Sequence, residues 1–194
     1  MKTLKKQIQL AVDAFKDGRI LEAEDIATRL IIDNPKTAFL YNLLGLICMQ
    51  QGKFDQAIKH YEKGIEIDPN FSTIYNNLGL IYANNKHDNK KAENFYNKSI
   101  SLNEKNPEAY NNLGTLYKSL DRFDEAILCY KKAISINSNL VQSFHNLGEI
   151  YTTIGKFDEA KKNLYKAISI NPNYTNSHRT LSRLIKYTQN DKHF

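Results

Sequence analysis

The sequence contains no tryptophan, 4 prolines, 8 glycines and 2 cysteines in 194 residues. So few breakers favour helices, and 41% hydrophobic residues argue against a disordered chain. Cys48 and Cys129 form neither a CxxC pair nor a metal-ligand spacing, so they read as buried free thiols of a reducing compartment. No apolar run is long enough to span a membrane. Gln7, Gln9 and Asp13 interrupt the N-terminal stretch, which lacks the apolar core of a signal peptide. The expected location is therefore the cytoplasm.

Catalytic signatures are missing as well. There is no Gly-rich phosphate loop, no HExxH and no GxSxG. His145 and Glu149, four apart, have the spacing to touch one metal from a helix. No further ligand stands near in the pattern, so they read as a solvated hydrogen-bonded pair. His60, His87, His178 and His193 have no evident partners. No enzyme activity, cofactor or metal is expected. The net charge of +6 is a mild excess in a chain rich in Asn and Lys.

What the chain does have is a period. Y-N-L-L-G-L-I-C begins at Tyr41, Y-N-N-L-G-L-I-Y at Tyr75, Y-N-N-L-G-T-L-Y at Tyr110 and F-H-N-L-G-E-I-Y at Phe144. The glycines Gly45, Gly79, Gly114 and Gly148 are spaced by 34, 35 and 34 residues. A fixed period of this size marks stacked helical repeats. Ala57, Ala92, Ala126 and Ala160 follow in phase, then Tyr61, Tyr96, Tyr130 and Leu164 four residues on. Gly64, Ser99, Ala133 and Ala167 supply a further small residue, and Pro35, Pro69 and Pro172 close three units.

These residues resemble the tetratricopeptide repeat (TPR), whose Y/W-x2-L-G-x2-Y, A-x3-F and P signature they follow. In physical terms, Gly114 and Ala126 let two helices approach closely, Tyr130 fills the space beside them, and proline stops the second helix. The tyrosines at 41, 75, 82, 110, 117 and 151 recur in register and are expected in the core.

The expected fold is all-α: an α-solenoid of five hairpins over 4–37, 38–71, 72–106, 107–140 and 141–174, with a capping helix over 175–190. The whole chain, 1–194, reads as a single array. The first repeat is degenerate, with Gln7 in place of the aromatic, as terminal repeats are. The extra residue of the third falls in the turn at 84–89, where insertion costs little. The resemblance implies a right-handed superhelix whose first helices line a concave groove.

That groove is expected to bind an extended segment of a protein partner. Its candidate residues are Asn76, Asn77, Asn111, Asn112, Thr115, Lys118, His145, Asn146 and Glu149. Asn77, Asn112 and Asn146 resemble the asparagine ladder in the TPR region of O-linked N-acetylglucosamine transferase, and an amide can both donate to and accept from a peptide group. The paired cations of chaperone-binding TPR clamps are missing from these columns. A second expectation is a hydrophobic interface for self-association at Ile8, Val12, Phe15, Phe39, Leu43, Leu46 and Met49, since an apolar patch of this kind suggests a partner. A third comes from the tail from Leu181 to Phe194, which loosely resembles the junction in bacterial TPR–sulfotransferase proteins and would make the chain the recognition part of a larger enzyme. Lysines of the second helices read as a solvated face rather than a nucleic-acid track, because the tyrosines are committed to packing.

Overall fold

The computed structural model describes residues 3–190, which contain eleven α-helices. They group into two compact units, one ending at Leu102 and one starting at Asn103. The first unit holds α1 (Leu4–Lys16), α2 (Ile20–Asp33), α3 (Ala38–Gln50), α4 (Phe54–Ile67), α5 (Ser72–Asn84) and α6 (Asn89–Leu102). The second holds α7 (Pro107–Ser119), α8 (Phe123–Ile136), α9 (Val141–Thr153), α10 (Phe157–Ile170) and α11 (Thr175–Asn190). The class is all-α, built from antiparallel hairpins α1–α2, α3–α4, α5–α6, α7–α8 and α9–α10.

Each hairpin turn is set by one residue in the left-handed region. Gly18, Gly52 and Gly155 have φ between 74° and 76°, a conformation that costs glycine nothing. The backbone N–H of the following residue then reaches the carbonyl five residues back, as in Lys53 to Cys48 and Lys156 to Tyr151, at 2.8 Å each. Two of the helix's orphan carbonyls are satisfied this way. His87 (φ 52°) and Asp121 (φ 55°) occupy the same place without being glycine. The turn before α6 carries the extra residue, and the Asp88 N–H closes onto the Tyr82 carbonyl.

The second helices end differently. Asp68, Asn103, Asn137 and Asn171 each accept, through Oδ1, the backbone N–H two residues on, at 3.0–3.1 Å. Such an Asx turn diverts the chain without help from proline. It explains why α6 and α8 stop where Glu104 and Ser138 stand in the proline column. Tyr41, Tyr75 and His178 tie the loops down by hydrogen bonds to the carbonyls of Pro35, Pro69 and Pro172.

Packing within a hairpin centres on the repeated glycine. A Cβ at Gly114 would stand 2.9 Å from the Tyr130 ring, and one at Gly79 would stand 2.5 Å from Tyr96. Gly148 faces Leu164 in the same way. Tyr61, Tyr96 and Tyr130 are the deepest aromatic rings, at most 1% exposed, and burial pushes their hydroxyls well above the usual phenol range. The Tyr61 hydroxyl donates to Met49 Sδ, and that of Tyr130 pairs with Thr115 Oγ1, both at 3.1 Å. Of the tyrosines expected in the core, Tyr75, Tyr117 and Tyr151 are buried, while Tyr41, Tyr82 and Tyr110 are only partly covered. Gly64 makes room for the next hairpin, since a Cβ there would meet Ile74 of α5.

Cys48 is buried, Cys129 is half-buried, and both are free thiols. Burial raises both, Cys129 to about 11, so neither behaves as a ready thiolate.

Candidate functional site

In α3, α5, α7 and α9, polar residues stand within two positions before a Leu-Gly pair. The structure divides them into two sets. Asn76, Asn77, Asn111 and His145 are buried, at 4–9% exposure. Asn77, Asn111 and His145 link neighbouring first helices. Asn77 Nδ2 donates to Asn42 Oδ1 at 3.1 Å between α5 and α3. Ser143 Oγ donates to Asn111 Oδ1 at 2.7 Å between α9 and α7, and His145 Nδ1 lies 3.1 Å from Ser177 Oγ between α9 and α11. Amides in this register therefore serve packing between first helices. Asn77, Asn111 and His145 thus have partners inside the layer, as buried polar groups require.

His145 is also not the solvated residue that the i, i+4 spacing suggested. It is packed edge-on against Tyr174, with ring centroids 5.3 Å apart, and its Nε2 lies 3.3 Å from Glu149 Oε1. Among the described residues, no three His, Cys, Asp or Glu side chains converge.

The second set is within reach of a ligand. Asn112, Lys118, Asn146 and Glu149 are half-buried, and Thr115 is exposed. Lys118 Nζ donates to Glu149 Oε2 at 2.7 Å and to Asn146 Oδ1 at 2.9 Å, across α7 and α9. Glu149 is held down to about 2, first by its hydrogen bond with His145 and then by Lys118, against an opposing contribution from burial. The Thr115 hydroxyl is turned inward, donating to the Asn111 carbonyl.

Beside this network lies an open pocket of about 870 Å³ within the second unit. Lys118, Glu149, Thr152 and Thr153 form one part of its lining, on the columns that the sequence assigned to the groove. The rest was not foreseen. Phe157 meets Tyr187 edge-on at 5.5 Å, and Arg183 and Leu184 of α11 complete that part of the wall. The signal is in the sequence, since Arg183, Leu184 and Tyr187 share one flank of a helix, but the repeat period assigns α11 only a capping role.

Of the apolar residues expected to form an interface near the N-terminus, Leu43 is buried and the others are half-buried or exposed. Leu43 is 2% exposed and belongs to a core cluster with Ala11, Ala14 and Ile47, against which Val12 and Phe15 pack. Met49 packs against a second cluster and accepts the Tyr61 hydroxyl. Ile8 and Leu46 are half-buried, and Phe39 is the one clearly exposed member, at 39%. Leu43, Val12 and Phe15 pack where α1, α2 and α3 meet.

Hairpins of fixed length, with a polar set on their first helices, define a helical-repeat protein. The chain belongs to the tetratricopeptide repeat family. Models described as TPR repeat and tetratricopeptide repeat match residues 45–86, 72–106, 107–140 and 141–174. This fold is generally a non-catalytic interaction module. The protein ycf37 of Pyropia yezoensis, described as uncharacterized, is 38% identical over 85 residues, which are 44% of this chain. The chain's matched part spans 42% of that relative's length. Among solved structures, pilF of Pseudomonas aeruginosa is 16% identical with a TM-score of 0.87, covering 97% of this chain and 86% of its own. YrrB, described as a TPR protein with an unusual peptide-binding site, is 18% identical with a TM-score of 0.67, covering 92% and 97%. At these identities the structures establish the fold. None of these matches carries the resemblance to the glycosyltransferase or sulfotransferase TPR regions, and residues 191–194 of the tail lie outside the described residues. No helix among the described residues is long and apolar enough to cross a membrane.

Proposed function

We propose that this chain is a non-catalytic binding module that holds an extended segment of a protein partner against the first helices of its second unit. The observation that carries this reading is the half-buried set Asn112, Lys118, Asn146 and Glu149 on α7 and α9, next to an open pocket. Amides and a carboxylate at this spacing can pair with the N–H and C=O groups of an extended backbone, each bond contributing about 0.5–1.5 kcal/mol net. The Lys118–Glu149 ion pair is no obstacle. Its side chains are 27% and 39% exposed, and pairs that exposed are worth little, so a ligand can exchange with them. YrrB, which shares the fold, is itself described as having a peptide-binding site.

The test is selection of peptides from a random display library on the intact protein, followed by affinity measurement on Asn112→Ala with Asn146→Ala. The double variant should keep the helical CD spectrum and lose most of the affinity. Equal binding by wild type and variant would remove the amides from the reading.

A further inference from the structure

Resting on that reading, we propose that α11 and the adjoining pocket select a partner segment in which an aromatic or large aliphatic residue is flanked by acidic residues. The first observation is charge. From Ala160 to Asn190 the chain has no Asp or Glu, while Arg179, Arg183 and Lys186 all lie on α11. Spaced by four and three residues, these cations share one face of the helix. That face is opposite the buried side, which is formed by Ser177, Leu181 and Leu184. All three cations are exposed, and among the described residues none of them has a carboxylate within ion-pair distance. This isolation contrasts with Lys118, Arg122 and Lys86, each of which is paired with an acid.

The second observation is the wall next to that face. Tyr187 is a large ring left 56% exposed, and it meets Phe157 edge-on at 5.5 Å. Leu184, Ile150 and Phe123 continue the apolar lining. Arg183 belongs to both features, standing on the basic face and lining the pocket. A side chain seated against Phe157 and Tyr187 would therefore place its neighbours' carboxylates within reach of a guanidinium, the donor best suited to carboxylates.

The two lining acids set the limits of this preference. Glu149 is occupied by Lys118 and His145, while Asp121 lies on the turn before α8. Segment residues that approach that turn should be neutral or basic, so the acidic residues belong on the α11 side. The same two carboxylates disfavour a phosphate backbone, and the edge-on ring pair offers no open platform for a base. The observations thus favour a peptide over a nucleic acid.

The experiment uses the full chain and three blocked probes: a phenylalanine flanked by glutamates, the same peptide with lysines for the glutamates, and a single-stranded oligonucleotide. Binding is followed by fluorescence anisotropy at low and high salt. The glutamate peptide should bind, weaken with salt, and lose about tenfold or more in affinity with Arg183→Glu and again with Tyr187→Ala. Neither change should alter the helical CD spectrum, since both side chains are exposed. The lysine peptide should not bind. Equal affinity of Arg183→Glu and wild type, no measurable binding of the glutamate peptide, or tighter binding of the oligonucleotide would each overturn the proposal. Library-selected peptides that depend on Asn112 and Asn146 but ignore Arg183 would overturn it while leaving the broader reading intact. Dependence on Arg183 and Tyr187 with indifference to the two asparagines would do the reverse.

Discussion

Asp121 and Ser99 each hold a place where other repeats use a residue that suits the position better. Asp121 has φ 55° in a turn where Gly18, Gly52 and Gly155 sit at 74–76°. A left-handed conformation strains any residue with a Cβ, though Asp tolerates it better than most. Asp121→Gly should therefore raise stability by about 0.5 kcal/mol, after part of the gain is lost to the freer unfolded chain; chemical denaturation would measure it, and a lower midpoint would contradict it. Ser99 is fully buried, and its hydroxyl has no partner among the described residues, in the column filled by Ala133 and Ala167. Ser99→Ala should be stabilising by about 1 kcal/mol, because it removes an unsatisfied polar group at almost constant shape. Glu149 gives a pH signature. Its folded value of about 2 lies below the ordinary 4.5, so its stabilisation is complete above about 4.5 and is lost as pH falls toward 2. Glu149→Gln should be less stable than wild type at neutral pH, and the gap should close across that acid window in melts taken at stepped pH.

At the scale of helices, the glycines grade themselves. A Cβ at Gly79 would fall 2.5–3.0 Å from three atoms of the Tyr96 ring, whereas one at Gly114 would fall 2.9–3.2 Å from Tyr130 and Cys129. Gly79→Ala should thus cost more than Gly114→Ala, by about 1 kcal/mol, since a ring wedged between helices yields less than one already at contact. Thermal melts of the two variants showing the opposite order would overturn this account of the close approach. The helices themselves were legible in the sequence because small residues and tyrosines recur in phase, and no other arrangement buries them all. Two other features were not legible. Prolines mark the stops of only three units, and at α6 and α8 Asn103 and Asn137 make the stop with their own side chains, a local geometry that composition does not reveal. The split of the asparagines was hidden as well. Asn111 and Asn112 are adjacent and chemically identical, and only the rotation of α7 decides which one meets Ser143. Leu43 shows the same limit: the family pattern assigns it to an inner face, but near the first repeat it packs into a cluster with residues of α1 and α2.

For the molecule as a whole, the repeated hydrogen bonds between first helices bear on how such a chain can change in copy number. Asn111 is met by Ser143 of the following hairpin, and His145 is met by Ser177 of the helix after that. Ser143 and Ser177 are 34 residues apart, the same amino acid at the same point of the period. A chain carrying residues 141–174 twice would present Ser143 of the second copy to His145 of the first, and Ser177 to His145 of the second. No buried polar atom in that column would lose its partner. Such a duplication should fold, with a melting temperature equal to or above that of the parent, since each added unit brings its own interface. A duplicated chain that aggregates or melts lower would show that another column forbids the insertion. In this part of the sequence an unequal crossover between tandem repeats would therefore be structurally silent, and the length of the protein is a quantity that recombination can tune.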